Sequence, residues 1–382
     1  MPIYKVKGVT KDGKQKYKVR INYISDGGEE RQLTRIAYGN EAAKELEQRL
    51  LKDELRKKAG MSTRKMTVQQ LFDEFMSVKK YELRETTFKQ YKLDFGYHIA
   101  PKLKDVRIDR ITAGVLRDWK LSIEEKGLAL ATKQHAFAIF RAMLNYAVRM
   151  DYLTKNPLIK IGNFKGGLGM AMKEMSFYTP EEFKLFVSAG KSIATEKQTM
   201  HDDLSEWDYY VFFNIAFYTG LRKGEIYALK WSDLTASHLS VKRSVSQSLQ
   251  GEDRETLPKN RTSIRTLQMP LPLIQVLEEH KRRQRQLRDF NEGKRICGYN
   301  RCLRNTSLQK KSVKYASAAG VKVIRIHDFR HSHVSVLANE GINIQEIARR
   351  LGHAKIEMTW NTYSHLYPRE EEKAVEVLNK MV

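Results

Sequence analysis

At 382 residues the chain is too long for one ordinary core and implies two or three domains. Its 41% apolar content suffices for globular folding, which excludes a disordered tail protein. Lys and Arg number 69 against 45 Asp and Glu, and the resulting charge of +24 must face nucleic acid or an anionic membrane surface.

The N-terminus, MPIYKVKGVTKDGKQ, lacks the apolar core of a signal peptide, and no run of about 18 apolar residues follows. Membrane association therefore yields to polyanion binding. Up to about Met61, PIYKVKGV, QKYKVRINYI and RQLTRIAY read as short strands, with Asp-Gly turns in KDGK and SDGG. A helix is expected near NEAAKELEQRLLKDELRKKA, with Asn40 as N-cap and Gly60 at its end. In the middle strand Tyr17, Val19, Ile21 and Tyr23 share one face, and Lys16, Lys18 and Arg20 share the other. The apolar face packs on the helix. The basic face is left to solvent or to DNA.

From about Arg64 to Lys160 the pattern is helical. VQQLFDEFMSVKK sets Leu71, Phe72 and Phe75 at helical spacing behind Thr67, a good cap. RETTFKQYKLDFGYHI, TAGVLRDWKLSIEEKG and ATKQHAFAIFRAMLNYAVRM continue it as a small bundle. The glycine-rich IGNFKGGLGMAMKE opens the segment 161–175, which reads as a linker. The rest, 176–382, is expected to be mainly helical with a small antiparallel sheet. The fold class is thus α+β and multidomain: a three-stranded sheet plus helix over 1–61, a bundle over 64–160, the linker, and the large C-terminal domain. Cys297 and Cys302 are too few for a disulfide framework or a four-ligand zinc site. They read as incidental thiols and suit a reducing cytoplasm.

A phosphodiester can be cut without metal if a nucleophile lies in line with phosphorus, guanidiniums meet the transition-state charge, and an acid protonates the leaving oxygen. The C-terminal domain offers such groups in three pieces. In YTGLRKGEIYALKWSDL, Arg222 follows a Thr-Gly turn and opens a helix carrying Leu221, Ile226 and Leu229, with Glu225 within reach on the same face. In RIHDFRHSHVSVLANEG, His327 and Arg330 lie one turn apart, with His331 and His333 beside them. His327 and His331 also have the spacing of a zinc helix, but the Glu that such a helix needs is replaced by Asp328. In NIQEIARRLGHAKIEMTWNTYSHL, Asn343 and Glu346 suggest a capping-box start, Ile344, Ile347 and Leu351 form a buried stripe, and Gly352 ends the helix. His353 follows, and Tyr363 lies in a second short helix. Helix, turn, helix also describes a DNA-reading motif, though His353 fits it poorly.

Together and in this order, TGLRKGE, HDFRH, and LGH ahead of TYSH resemble the tyrosine recombinase family, over roughly Ser176 to Tyr367. The first two segments resemble, in layout, the arm-type DNA-binding and helical core-binding domains of phage and conjugative-transposon integrases. The resemblance implies that Arg222 and Arg330 clamp the scissile phosphate. It implies that His327 and His353 hydrogen-bond the phosphate and assist proton movement, and that Tyr363 attacks to give a 3′-phosphotyrosyl link. Glu225 then orients Arg222. A hairpin Lys serves the family as general acid. Lys259, in ETLPKNRTSIRTLQMP, is the match, although Asn260 stands where the family has Thr and Arg261 lies close by. No metal or other cofactor is implied, and no Gly-x-x-x-x-Gly-Lys loop for ATP is present.

The implied partners are double-stranded DNA at core-type and arm-type attachment sites, touched in part by Lys16, Lys18 and Arg20, a homotetramer on that DNA, and an accessory bending or excision factor. No membrane partner is implied. The tail, REEEKAVEVLNKMV, has an amphipathic turn or two with Ala374, Val375, Val377 and Leu378, suited to docking on a neighbouring subunit or on its own domain. Two other readings share some features: a type IB topoisomerase that relaxes supercoils, and a non-catalytic helix-turn-helix regulator.

Overall fold

A computed structural model describes residues 3–9, 13–24, 30–58, 66–166, 175–201, 203–246, 253–256, 261–367, 375 and 378–380. The chain divides into two units, Met1–Ala171 and Met172–Val382.

The first unit begins with strands β1 (Ile3–Val9), β2 (Gln15–Ile24) and β3 (Glu30–Tyr38), which pair antiparallel in that order. Alternation along β2 turns Val19 and Ile21 inward, where with Ala37 and Ala43 they are buried; Tyr17, Leu46 and Leu50 pack against this small core. Leu46 and Leu50 come from α1 (Asn40–Lys58). Asn40 is the first residue of that helix and not its cap. The preceding residue, Gly39, has φ 99, and its carbonyl accepts from Ala43 N–H at 3.1 Å. A left-handed φ of this kind favours glycine, so the chain enters the helix one residue earlier than an Asn cap would allow. Gly60 lies outside the described residues.

On the outer face of the sheet, register sets Tyr4 opposite Lys18, Lys18 opposite Ile36, Lys16 opposite Tyr38 and Arg20 opposite Thr34. The Arg20 guanidinium lies 5.4 Å over the Tyr4 ring. The basic face thus carries exposed apolar and aromatic side chains between its cations.

Five helices follow: α2 (Val68–Glu82), α3 (Glu85–Asp94), α4 (Ala100–Leu103), α5 (Ala113–Glu124) and α6 (Leu130–Arg149). Thr67 and Gln70 form a reciprocal capping box on α2. Leu71, Phe72 and Phe75 are buried as their spacing requires, and Phe72 stacks on Phe95 with ring centroids 3.7 Å apart. The bundle reaches past residue 160. Phe164, only 1% exposed, sits edge-on to Trp119 and Phe137. Lys120 Nζ donates to the carbonyls of Gly162 and Asn163, so the segment read as a linker begins inside the core. One large ring outweighs the local glycine signal there, because burying it is worth roughly 1.5–3 kcal/mol.

The second unit is built on α7 (Pro180–His201) and α8 (Ser205–Thr219). SEWDYYVFFNIAFYT is apolar on nearly every side, and α8 is accordingly the buried centre of the unit. Phe183 of α7 stacks on Phe217 of α8 at 3.6 Å. The chain continues through α9 (Lys223–Ala228) and four short strands, β4 (His238–Val241), β5 (Ser244–Ser246), β6 (Arg254–Thr256) and β7 (Arg265–Gln268). β4 pairs with β7, and β5 with β6, both antiparallel. The helices α10 (Leu271–Gln284), α11 (Asn305–Ala319), α12 (Asp328–Asn339), α13 (Ile344–Leu351) and α14 (Ile356–Tyr363) complete it. At the start of α13 the Asn343 side chain accepts from Gln345 N–H, while Glu346 pairs with Arg349 and does not close a capping box. Of the tail, Val375 and Leu378 are exposed, and Ala374 and Val377 lie outside the described residues. Among the described residues no helix is long and apolar enough to cross a membrane.

Candidate active site

Helix α8 ends at Gly220, which has φ 63; a Cβ there would lie 2.6 Å from the His333 ring. Only glycine fits, both for the backbone conformation and for the space. This turn delivers Arg222 to the N-cap of α9. Glu225, three residues on, accepts from the Arg222 N–H at 2.9 Å and from its guanidinium at 3.1 Å. The same carboxylate accepts from Arg265 through Nη1 at 3.3 Å and Nη2 at 3.0 Å. Burial pushes the Glu225 carboxyl up, and hydrogen bonding and charge from Arg265, then Arg222, more than reverse this. Arg265 also donates to the carbonyls of Arg350 and Ser263, so it ties α9, β7 and α13 together. Its signal in the sequence was faint: an Arg in phase with Leu267 on the inward face of a short strand, where a buried acid must meet it.

Arg330, 3% exposed, projects from the first turn of α12. Its guanidinium donates to Gly220 O at 2.7 Å and to Leu351 O at 2.9 Å, and it meets His353 Nε2 at 2.8 Å. Arg222 Nη1 reaches the same Leu351 carbonyl at 3.4 Å. Both guanidiniums therefore converge on the C-terminal end of α13, where unpaired carbonyls gather negative charge. Burial, then the nearby Arg222, lowers Arg330 to about 9, which leaves it cationic at neutral pH.

Gly352, with φ 64, turns the chain so that His353 faces Arg330. A guanidinium can only donate, so His353 Nε2 accepts and Nδ1 carries the proton, donated to Thr359 Oγ1 at 2.8 Å. Burial and the adjacent Arg330 hold this imidazole neutral, with its pKa pushed down to about 4. Thr359 is fully buried and was not singled out in the sequence.

Tyr363 closes α14 and is 2% exposed, inside a small cluster with Val334, Ala338, Ile347 and Leu351. Its phenol is hydrogen-bonded to His331 Nδ1 at 2.8 Å. Arg330 and Arg222 act on it through space, pulling its pKa down, but burial prevails and raises it to about 12. The His327 ring stands edge-on to His331, with centroids 5.2 Å apart. Burial, then Arg330, lowers the His327 pKa.

The structure thus joins Arg222, Glu225, Arg330 and His353 directly, and joins Tyr363 to His327 through His331. Lys259 lies outside the described residues, as does the Arg261 side chain. Lys16, Lys18 and Arg20 belong to the sheet of the first unit. Arg222 and Arg265 share the Glu225 carboxylate, which acts on Arg330 only through space, so three guanidiniums stand against one acid and the centre is positive, with the Tyr363 phenol within its electrostatic reach.

Residues 190–370 match the phage integrase family, and residues 67–120 match the N-terminal SAM-like domain of phage integrases. The chain belongs to the tyrosine recombinase family. The recombinase is 27% identical over 377 residues to the ICEBs1 integrase of Bacillus subtilis, covering 96% of this chain and 97% of that one. It is also 27% identical over 408 residues to a XerC-like tyrosine recombinase of Caldanaerobacter subterraneus, covering 97% of each. Its fold resembles that of the Tn1549 transposon integrase in complex with transposon right-end DNA, with TM-score 0.65 and 19% identity over 83% of this chain and 99% of that chain. A lambda integrase tetramer bound to a Holliday junction gives TM-score 0.56 and 16% identity over 96% and 95%. With these two solved structures the recombinase shares its fold.

Proposed function

We propose that the recombinase cuts and rejoins DNA at the ends of a mobile element through a transient 3′-phosphotyrosyl bond to Tyr363. The observation that carries this is the meeting of Arg222, Arg330 and His353 at one point beside a buried phenol. A DNA phosphate offers Arg222 and Arg330 better acceptors than the Leu351 carbonyl, because its oxygens carry negative charge and match the guanidinium fork two at a time. Its negative charge also raises the His353 pKa from about 4, so that His353 can take a proton and donate to a phosphate oxygen. His327 assists from the start of α12. Glu225, itself held by Arg265, keeps Arg222 aimed at the phosphate. Lys259 protonates the leaving 5′ oxygen. No metal or nucleotide is needed, since the phosphodiester energy is kept in the tyrosyl link until a partner 5′ hydroxyl attacks it.

The three-stranded sheet with its helix, 1–61, serves as the arm-type DNA-binding domain. Lys16, Lys18 and Arg20 contact phosphates, and Tyr4, Ile36 and Tyr38 add apolar surface on the same face. The bundle, 64–160 with its extension through Phe164, grips the core site, and the domain 176–382 catalyses, with 161–175 as the nominal linker between them. The lambda integrase tetramer on a Holliday junction supports a homotetramer as the working assembly, and an accessory bending or excision factor sets direction. The C-terminal tail docks on a neighbouring subunit. The cytoplasm, where thiols such as Cys297 and Cys302 stay reduced, is the site of action.

A nicked suicide substrate carrying the core site tests the reading. An SDS-resistant protein–DNA adduct is expected in EDTA, and none with Tyr363→Phe. An adduct that forms without Tyr363, or that requires a divalent metal, overturns it.

A further inference from the structure

His331 lies outside the set of side chains to which the sequence motifs point, yet it alone holds the phenol of Tyr363 among the described residues. Its two nitrogens face different groups. Nε2 is 3.8 Å from Asp328 Oδ1, and Nδ1 is 2.8 Å from the Tyr363 oxygen. Asp328 is buried and held in place by Arg325, whose backbone and guanidinium both donate to it. A carboxylate on the Nε2 side favours the tautomer with hydrogen on Nε2, which leaves Nδ1 as an acceptor. The phenol is then the donor in this bond. Orienting carboxylate, imidazole and hydroxyl nucleophile stand in the order that activates hydroxyl groups elsewhere in enzymes.

We infer that His331 is the base of the cleavage step, taking the phenolic proton on Nδ1 as the Tyr363 oxygen attacks phosphorus. This rests on Tyr363 being the nucleophile. In that step the phenolic O–P bond forms and the bond from phosphorus to the 5′ oxygen breaks. The phenolic proton passes to Nδ1, giving an imidazolium that Asp328 stabilises, and the 5′ oxygen takes its proton from the general acid, Lys259. Rejoining runs in reverse: the attacking 5′ hydroxyl gives its proton to the neutral Lys259 amine left by cleavage, the 5′ O–P bond forms as the phenolic O–P bond breaks, and the imidazolium returns its proton to the departing phenolate.

The groups facing His331 are His327, Asp328, Arg325 and Arg330 from the start of its own helix, and Tyr363 from α14. Burial, then His327, keeps its pKa down at about 4, so it is neutral across the physiological range and its Nδ1 lone pair is free for the phenol; the negative charge of a bound phosphate and of the forming phenolate raises its basicity in the step itself. The phenol, pushed up to about 12, supplies almost no phenolate by itself and needs such an acceptor.

The test measures single-turnover adduct formation by the full chain from about pH 6 to 9, on a phosphodiester substrate and on one with a 5′-bridging phosphorothiolate. A thiolate leaves without protonation, so defects of the acid disappear on the second substrate and defects of the base remain. His331→Ala is expected to slow adduct formation about 100-fold or more on both substrates, with a rate that climbs with pH as hydroxide replaces the imidazole. His331→Gln can still accept a hydrogen bond from the phenol but cannot take its proton, and it should be as slow while binding DNA normally. The inference fails if either variant cuts at close to the parent rate, if the phosphorothiolate restores His331→Ala, or if His331→Ala is faster, which would make the contact a restraint. An adduct with Tyr363→Phe would instead sink the choice of nucleophile, and this inference with it.

Discussion

At Glu225 one buried carboxylate is shared by Arg222 and Arg265, and its loss has a definite sign. Glu225→Gln keeps the shape and removes the charge, leaving two guanidiniums facing each other with a weaker acceptor. Breaking one side of a buried ion pair costs about 3–5 kcal/mol. Urea unfolding of Glu225→Gln should show a loss of about that size, and adduct formation should fall at least about tenfold as Arg222 loses its aim. Unchanged stability would mean that Glu225 does not hold the two arginines. Arg222, His327, Arg330, His353 and Tyr363 were legible in the sequence because each sits in a short motif with fixed spacing. Arg265, Thr359 and the bond from His331 to Tyr363 were not. Each depends on a partner between six and forty residues away, and nothing local distinguishes such a side chain from an ordinary charged or polar one.

The elements that carry these residues are short, and their ends matter more than their lengths. Gly220 ends α8 and Gly352 ends α13, both in the left-handed region. Gly220→Ala adds a Cβ within 2.6 Å of His333 and strains the backbone as well. Left-handed strain and overpacking each cost about 1–3 kcal/mol, so a loss of about 2–5 kcal/mol is expected in thermal or urea unfolding. A neutral result would show that the turn can relax. Helix periodicity and strand alternation made the sheet, the bundle and the helical C-terminal domain readable in advance, while Asp12 and residues 25–28 of the expected Asp-Gly turns lie outside the described residues. What escaped were boundaries where tertiary packing overrides the local signal. Phe164 holds the start of the segment read as a linker in the bundle core, Gly39 displaces Asn40 as the entry to α1, and Glu346 turns to Arg349 instead of to its helix start.

For the whole molecule, three imidazoles, one buried and two half-buried, set a response to acid. His331 and His353 are held at about 4 and His333 at about 3, against an ordinary value of 6.5. Burial is the leading cause in each. Below about pH 6.5 an unfolded chain takes up protons that the folded chain refuses, so stability declines as pH falls from about 6.5 toward 4. Depressed carboxyls such as that of Glu225 also lose stability on acidification, but at lower pH, because their unfolded values lie near 4.5. The urea midpoint of the catalytic domain should therefore be lower at about pH 5 than at about pH 7.5, and an equal or higher midpoint at pH 5 would contradict the buried neutral state of these rings.

Leu351 belongs to both halves of the centre. Its backbone oxygen occupies N–H groups of Arg222 and Arg330, while its side chain lies in the cluster that roofs over Tyr363. On the proposed reading, a phosphate that captures those N–H groups takes the polar contacts of the Leu351 carbonyl. On that reading, a single residue thus links the cations that receive the phosphate to the phenol that attacks it.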